Sequence, residues 1–240
     1  MRIAQIADTH LTLDDPQRLA DLRAVVSDIN AVGADVVVHT GDVVQNGTPE
    51  EYRSAAAVLA ELQTPLFLIP GNKDRRAAMR DAFPGMAGED FVQYGVDDWP
   101  VDMIFLDTVS TNSKLGTLCP ARLEDLDTRL SRAKTPTAIF MHHPPFPVTV
   151  GPDLWHFEDP DIAARFQDRI EKSPRVTAVI CGHVHRPFFS AMGGALGVVA
   201  PAVATPVRWG DYPDAMRARA IWFLHRFASD GRFTTETRLT

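Results

Sequence analysis

Cysteine is scarce in this chain: there are two among 240 residues, Cys119 and Cys181. Two isolated thiols supply neither a disulfide framework nor a thiolate metal site, and they are read as reduced thiols of a cytoplasmic protein. Long apolar runs are missing too. No stretch approaches the roughly 18 apolar residues that suggest a membrane-crossing helix, so no membrane association is expected. Met1 and Arg2 lead directly into a short apolar segment, without a leader and small-residue cleavage site, so no signal peptide is expected. Positive charge is in deficit, with 24 Lys and Arg against 31 Asp and Glu and a formal net charge of -7. A protein built around duplex nucleic acid usually carries a basic face, so that partner is not expected either. Low-complexity blocks and internal repeats are absent, and the 18 prolines and 15 glycines are dispersed. Residues 83–90, rich in Gly, Pro and acid, are the one linker-like stretch, and they are too short to separate domains. With 45% hydrophobic residues, the chain is read as one domain over 1–240, with a short β-rich C-terminal part from about residue 186.

Residues 3–7 form a short apolar run of strand length. Residues 16–32 repeat Leu19, Leu22, Val25, Val26 and Ile29 at helical spacing, and Gly33 follows as a C-cap. A β-branched strand is expected over 36–39. Thr48-Pro49-Glu50-Glu51 carries a helix-start signature, with a cap, a proline at the first position and a glutamate at the third. A strand over 66–69 and a helix over 75–82 complete a β-α-β-α-β alternation, which predicts parallel strands with helical crossovers. Strands are then expected over 91–95, 101–106, 138–141 and 176–181, with helices over 120–130 and around 162–171. Short strands come next over 188–191, 197–200, 220–226 and 233–238. The sum is an α/β fold of two packed sheets with helices outside.

The residues just past each apolar strand carry the chemistry. The successive strand ends read Asp8-Thr9-His10, Gly41-Asp42, Gly71-Asn72-Lys73-Asp74, His142-His143-Pro144-Pro145 and Gly182-His183-Val184-His185. Each alone also reads as a turn or a cap. Together they put metal-type ligands at five strand ends, where sheets of this kind bind ligands. A mixture of imidazole and carboxylate suits Fe, Mn, Zn or Co rather than Ca or Mg alone. Two such ions about 3.5–4 Å apart can activate water and hold both sides of a phosphoryl group. The set is large enough for two.

In order and spacing these motifs resemble the calcineurin-like metallophosphoesterase superfamily, whose general pattern is D-x-H, G-D, G-N-H-[DE], H and G-H-x-H. Leu106-Asp107-Thr108, Gly116 and the leucine helix after them add similarity to bacterial class III cyclic nucleotide phosphodiesterases and their glycerophosphodiesterase relatives. The resemblance implies a four-layer α-β-β-α sandwich, with two mixed sheets flanked by helices. It also implies two metal ions: Asp8, His10 and His185 on the first, Asp42 bridging, and Asn72, His142 and His183 on the second. His143 becomes a neighbour of the centre or a substrate group, and Asp107 a structural strand-end residue. Lys73 departs from the family pattern, which has histidine there. A lysine keeps positive charge for a developing phosphorane but is a poorer proton donor near neutral pH. The implied activity is metal-dependent hydrolysis of a small phosphodiester, first a 3′,5′- or 2′,3′-cyclic nucleotide. The alternatives are a glycerophosphodiester, a phosphomonoester, or a metal-binding interaction protein without turnover. Relatives often pair through their C-terminal region, which leaves a homodimer open.

Overall fold

Local signals set the element boundaries. The computed structural model describes every residue except Ala87, Glu89, Ser229 and Asp230. The first two fall in the linker-like stretch, so that expectation lies partly outside the described residues. Strand β1 (Arg2–Ile6) leads to helix α1 (Pro16–Val32), which Asp15 caps and left-handed Gly33 closes at φ 70°. Strand β2 (Val36–His39) precedes helix α2 (Pro49–Leu59), whose first turn is a full capping box between Thr48 and Glu51. Strand β3 (Leu66–Leu68), helix α3 (Arg76–Ala82), and strands β4 (Tyr94–Val96) and β5 (Asp102–Leu106) come next. Then come α4 (Pro120–Arg132), β6 (Thr137–Met141), α5 (Pro160–Glu171) and β7 (Val176–Cys181). The chain ends with β8 (Phe188–Met192), β9 (Ala195–Val199), a 3-10 turn (Thr205–Val207), α6 (Asp214–Arg217), β10 (Ile221–Phe227) and β11 (Phe233–Leu239).

The strands form two mixed sheets, ordered β11-β10-β1-β2-β3 and β4-β5-β6-β7-β9-β8. In the first, β1, β2 and β3 are parallel and β10 joins β1 antiparallel. In the second, β5, β6, β7 and β9 are parallel, with β4 and β8 antiparallel at the edges. Alternate residues of each strand face opposite layers. Ala4, Ile6 and Val37 pack under Leu22, Val25 and Ile29 of α1. Ile3, Val36 and Val38 face Phe105, Phe140 and Ile180 across the gap between the sheets. Ile139 and Val179 pack against Leu126 of α4 and Phe166 of α5. This is the expected four-layer sandwich. The continuous apolar runs of β2 and β6 match strands covered on both faces.

One strand starts later than expected. The strand foreseen at 91–95 begins only at Tyr94, because the Val92 amide donates to Asp107 Oδ2 at 3.0 Å and holds the preceding residues out of the ladder. The four short strands expected after residue 186 are present as β8, β9, β10 and β11, with the 3-10 turn and α6 between β9 and β10. Among the described residues no helix is long and apolar enough to cross a membrane.

Candidate metal centre

The carboxyl ends of β1, β2, β3, β6 and β7 open onto one rim that both sheets share. The loops after β1 and β2 run side by side, with Asp8 N donating to Gly41 O at 3.0 Å and His10 N to Asp42 O at 2.9 Å. Glycine is required where these loops meet the others. A Cβ on Gly71 would collide with Asp42 Oδ1 and the Asp42 amide, and one on Gly41 would sit 2.7 Å from the Gly71 amide. All five non-glycine residues with positive φ among the described residues lie on this rim: Asp8, His10, Asp42, His183 and His185.

Two groups of donor atoms result. Asp8, His10, Asp42 and His185 form the first. Asp8 Oδ1 is 3.8 Å from His10 Nε2 and 3.5 Å from His185 Nε2. In the second, Asn72 Oδ1 is 3.3 Å from His142 Nε2 and 3.0 Å from His183 Nδ1. Asp42 joins them, with Oδ2 lying 3.4 Å from His10 Nε2 and 3.6 Å from His142 Nε2. Its other oxygen accepts the Lys73 amide at 2.7 Å.

The imidazole tautomers are fixed from behind. His10 Nδ1 meets Gln45 Oε1 at 2.9 Å, and Arg18 donates to that same oxygen. His142 Nδ1 meets the Thr40 carbonyl at 2.8 Å, and His185 Nδ1 meets the Val207 carbonyl at 3.0 Å. A carbonyl can only accept, so each Nδ1 carries the proton and each Nε2 presents a lone pair. His10 Nε2 and His185 Nε2 stand 2.9 Å apart. Two lone pairs at that separation repel unless a cation or a proton lies between them. Asn72 Oδ1, itself an acceptor, likewise faces the lone pair of His142 Nε2 at 3.3 Å. Such a convergence of bare donors fits a pair of cations, and ligating histidines held by carbonyl partners are the usual arrangement at metal sites.

Electrostatics fit as well. Burial works to raise the Asp8 carboxyl, but His185 beside it, with His142 and His10, outweighs burial and brings it down. Burial and the charge on Asp8 push Asp42 upward, against the Lys73 amide. Burial opposes a charged His185, yet Asp8 prevails and raises it. Asp74, buried beneath the third loop, accepts from Gly71 N, Val43 N and Tyr52 Oη. Burial and Asp42 push its carboxyl up to about 7.

His143 clusters with His142 and His183, but both its nitrogens are engaged. Nδ1 lies 2.8 Å from Thr108 Oγ1, and Nε2 lies 3.0 Å from the Lys114 carbonyl. It is Asn72 Oδ1 that faces the inward nitrogens of His142 and His183. Asp107 takes a bidentate Arg76 at 2.6 and 2.7 Å together with the Val109 amide. Lys73 borders the centre through its backbone and places its charge near Asp42. No sequence signal marks Gln45 or the Thr40 and Val207 carbonyls. His156, whose ring stands 5.0 Å from that of His183, also lies outside the motifs. Its flanking aromatics, Trp155 and Phe157, were the available hint of burial.

Several known proteins are similar to this chain. The family model described as calcineurin-like phosphoesterase matches residues 1–187. A glycerophosphodiester phosphodiesterase of Enterobacter lignolyticus is 34% identical over 203 residues, which cover 77% of this chain and 71% of that one. A probable cyclic nucleotide phosphodiesterase of Rhodopseudomonas palustris is 31% identical, over 81% of this chain and 75% of its own. Among solved structures, a dimetal phosphatase of Danio rerio superposes with a TM-score of 0.78 at 16% identity, over 100% of this chain and 96% of that one.

Proposed function

The chain belongs to the calcineurin-like phosphoesterase family, and on that premise we propose that it hydrolyses a small phosphodiester at a two-metal centre. Asp8, His10, Asp42 and His185 would hold one ion, and Asp42, Asn72, His142 and His183 the other. The observation that carries this reading is the position of Asp42 Oδ2 between His10 of the first group and His142 of the second. The mixed imidazole and carboxylate donors favour Fe, Mn, Zn or Co. When bound, such ions supply Lewis-acid activation of water and of the phosphoryl group.

The chain's own groups do the rest. The Gln45, Thr40 and Val207 oxygens hold three imidazoles with Nε2 turned inward. The Lys73 amide fixes the Asp42 carboxylate. Asn72 directs Oδ1 at the centre, which leaves its Nδ2 as a donor to a phosphoryl oxygen. The Lys73 ammonium adds positive charge where the transition state becomes more anionic. His143, locked on both nitrogens, braces the rings of His142 and His183 at centroid distances of 4.8 and 4.5 Å. The core shared between the sheets supports reading residues 1–240 as one domain.

The substrate class rests on the relatives, named for glycerophosphodiesters and cyclic nucleotides. The test is a panel with Mn²⁺ comprising 3′,5′-cyclic and 2′,3′-cyclic nucleotides, a glycerophosphodiester and a phosphomonoester, with chelated enzyme as the blank. Diesters are expected to turn over at least about tenfold faster than the monoester, a difference of roughly 1.4 kcal/mol in barrier. Faster monoester hydrolysis would shift the reading to a monoesterase. Two bound ions with no turnover on any ester would leave a metal-binding interaction protein.

Lys73 supplies a second prediction. A lysine stabilises charge but protonates a departing alkoxide poorly, so activity should depend steeply on leaving-group pKa. Lys73→His is expected to raise turnover of poor leaving groups by about tenfold or more while changing p-nitrophenyl esters little. A plot of log kcat/KM against leaving-group pKa with the same slope in both proteins would rule this out.

A further inference from the structure

Three of the four imidazoles at the centre have an oxygen behind them, and the fourth does not. His10, His142 and His185 each use Nδ1 against an oxygen and turn Nε2 inward. His183 is reversed. Its Nδ1 faces Asn72 Oδ1 at 3.0 Å, so its outer nitrogen is Nε2. Among the described residues Nε2 of His183 has no hydrogen-bond partner. A histidine that ligates through one nitrogen carries its proton on the other, and an acceptor for that proton fixes the ring and raises its basicity.

A matching orphan stands beside it. His156 is 7% exposed, and its Nε2 is buried without any hydrogen-bond partner. Its ring meets that of His183 with centroids 5.0 Å apart and planes at 80°. The Asp153 backbone lies against the same ring. Because Nε2 is unpartnered, that contact falls to Nδ1, and a carbonyl acceptor there leaves Nε2 as a bare lone pair. The backbone is anchored as well. Gly116 N donates to His156 O at 2.8 Å, and Glu158 N donates to Gly116 O at 2.9 Å. Leaving a buried acceptor unpaired costs about 1–3 kcal/mol, so this arrangement calls for a donor. Nε2 is closed to solvent, which excludes direct contact with substrate.

We propose that His156 is a positioning residue for the second ion: its Nε2 accepts the Nε2–H of His183 once Nδ1 of His183 is committed to the metal. This rests on the two-ion reading of the centre. Three imidazoles would then be oriented by oxygens and the fourth by a neighbouring ring, from a loop outside the five strand-end motifs.

The test is calorimetric titration of the metal-free full chain with Mn²⁺. The step belonging to the second ion is identified as the one Asn72→Ala removes. His156→Phe keeps the volume and deletes the acceptor, whereas His156→Gln restores an acceptor oxygen. His156→Phe is expected to weaken the second-ion step about 10–100-fold and to spare the other step. His156→Gln is expected to recover most of the loss. Unchanged affinities in His156→Phe, equal weakening of both steps, or a His156→Gln as weak as His156→Phe would each overturn the proposal. If the unaltered chain takes up fewer than two ions, the two-ion reading itself fails. If it takes up two and His156→Phe matches it, only the role of His156 fails.

Discussion

Asp42→Asn is expected to lower kcat/KM on any phosphodiester substrate by about 10³-fold, roughly 4 kcal/mol of transition-state stabilisation. Asparagine keeps the shape of the side chain and tolerates the left-handed backbone, φ 53°, that Asp42 adopts. The substitution therefore removes charge and one strong donor oxygen without disturbing the loop. The effect is large because both oxygens are committed. Oδ2 lies between His10 and His142, while Oδ1 receives the Lys73 amide. An amide can offer its one carbonyl oxygen to either task but not to both, and its nitrogen would point a donor at whichever place is left. Metal content measured beside activity should fall below two ions per chain. Turnover within tenfold of the parent with both ions retained would show that Asp42 does not bridge, and the two-ion reading would need another shared ligand.

Acidification of the metal-free chain is expected to unfold it with a midpoint between about pH 4 and 6. Seven of the eight histidines, His10, His39, His142, His143, His156, His183 and His225, are held by burial below their ordinary value. For His10, His39 and His225 the displacement reaches down to about 3. In the unfolded chain each would take a proton near 6.5, whereas burial in the fold resists that proton. Below about pH 6.5 the unfolded state therefore binds more protons, and stability falls as pH falls. Asp42 and Asp74 work the other way, because burial raises both carboxyls and the fold holds those protons first. His185 is also raised, so its contribution is present in acid and is lost only as pH rises. Seven imidazoles outnumber these opposing groups. Each net proton is worth about 1.4 kcal/mol per pH unit, against a margin of about 5–15 kcal/mol. Tryptophan fluorescence tracked against pH measures this directly. A chain still folded at pH 4 without metal would mean that these rings become protonated inside the fold.

The sequence disclosed the centre more fully than it disclosed what supports the centre. Asp8, His10, Asp42, Asn72, His142, His183 and His185 each come within a few residues of an apolar run, and parallel strands bring their carboxyl ends to one rim. Local order therefore translated directly into spatial convergence. The groups that orient the ligands leave no such trace. The Thr40 and Val207 carbonyls belong to the backbone, and any residue supplies a carbonyl. Gln45 is one glutamine in a polar loop. His156 lies between Trp155 and Phe157 in a stretch of Pro and Gly that reads only as loop, so its approach to His183 depends on tertiary closure. Strand β4 starts later than its local pattern suggests for a similar reason: the Asp107 carboxylate competes for the Val92 amide, and that competition lies outside local propensity.

The left-handed backbone at Asp8, His10, Asp42, His183 and His185 sets chemistry and robustness against each other. A non-glycine residue held there typically costs about 1–3 kcal/mol, and glycine at the same position avoids that cost. Random variants of this chain screened for heat survival alone should accumulate glycine at these positions and lose the rim's donors one at a time, so breeding a hardier scaffold requires a catalytic selection run alongside the thermal one.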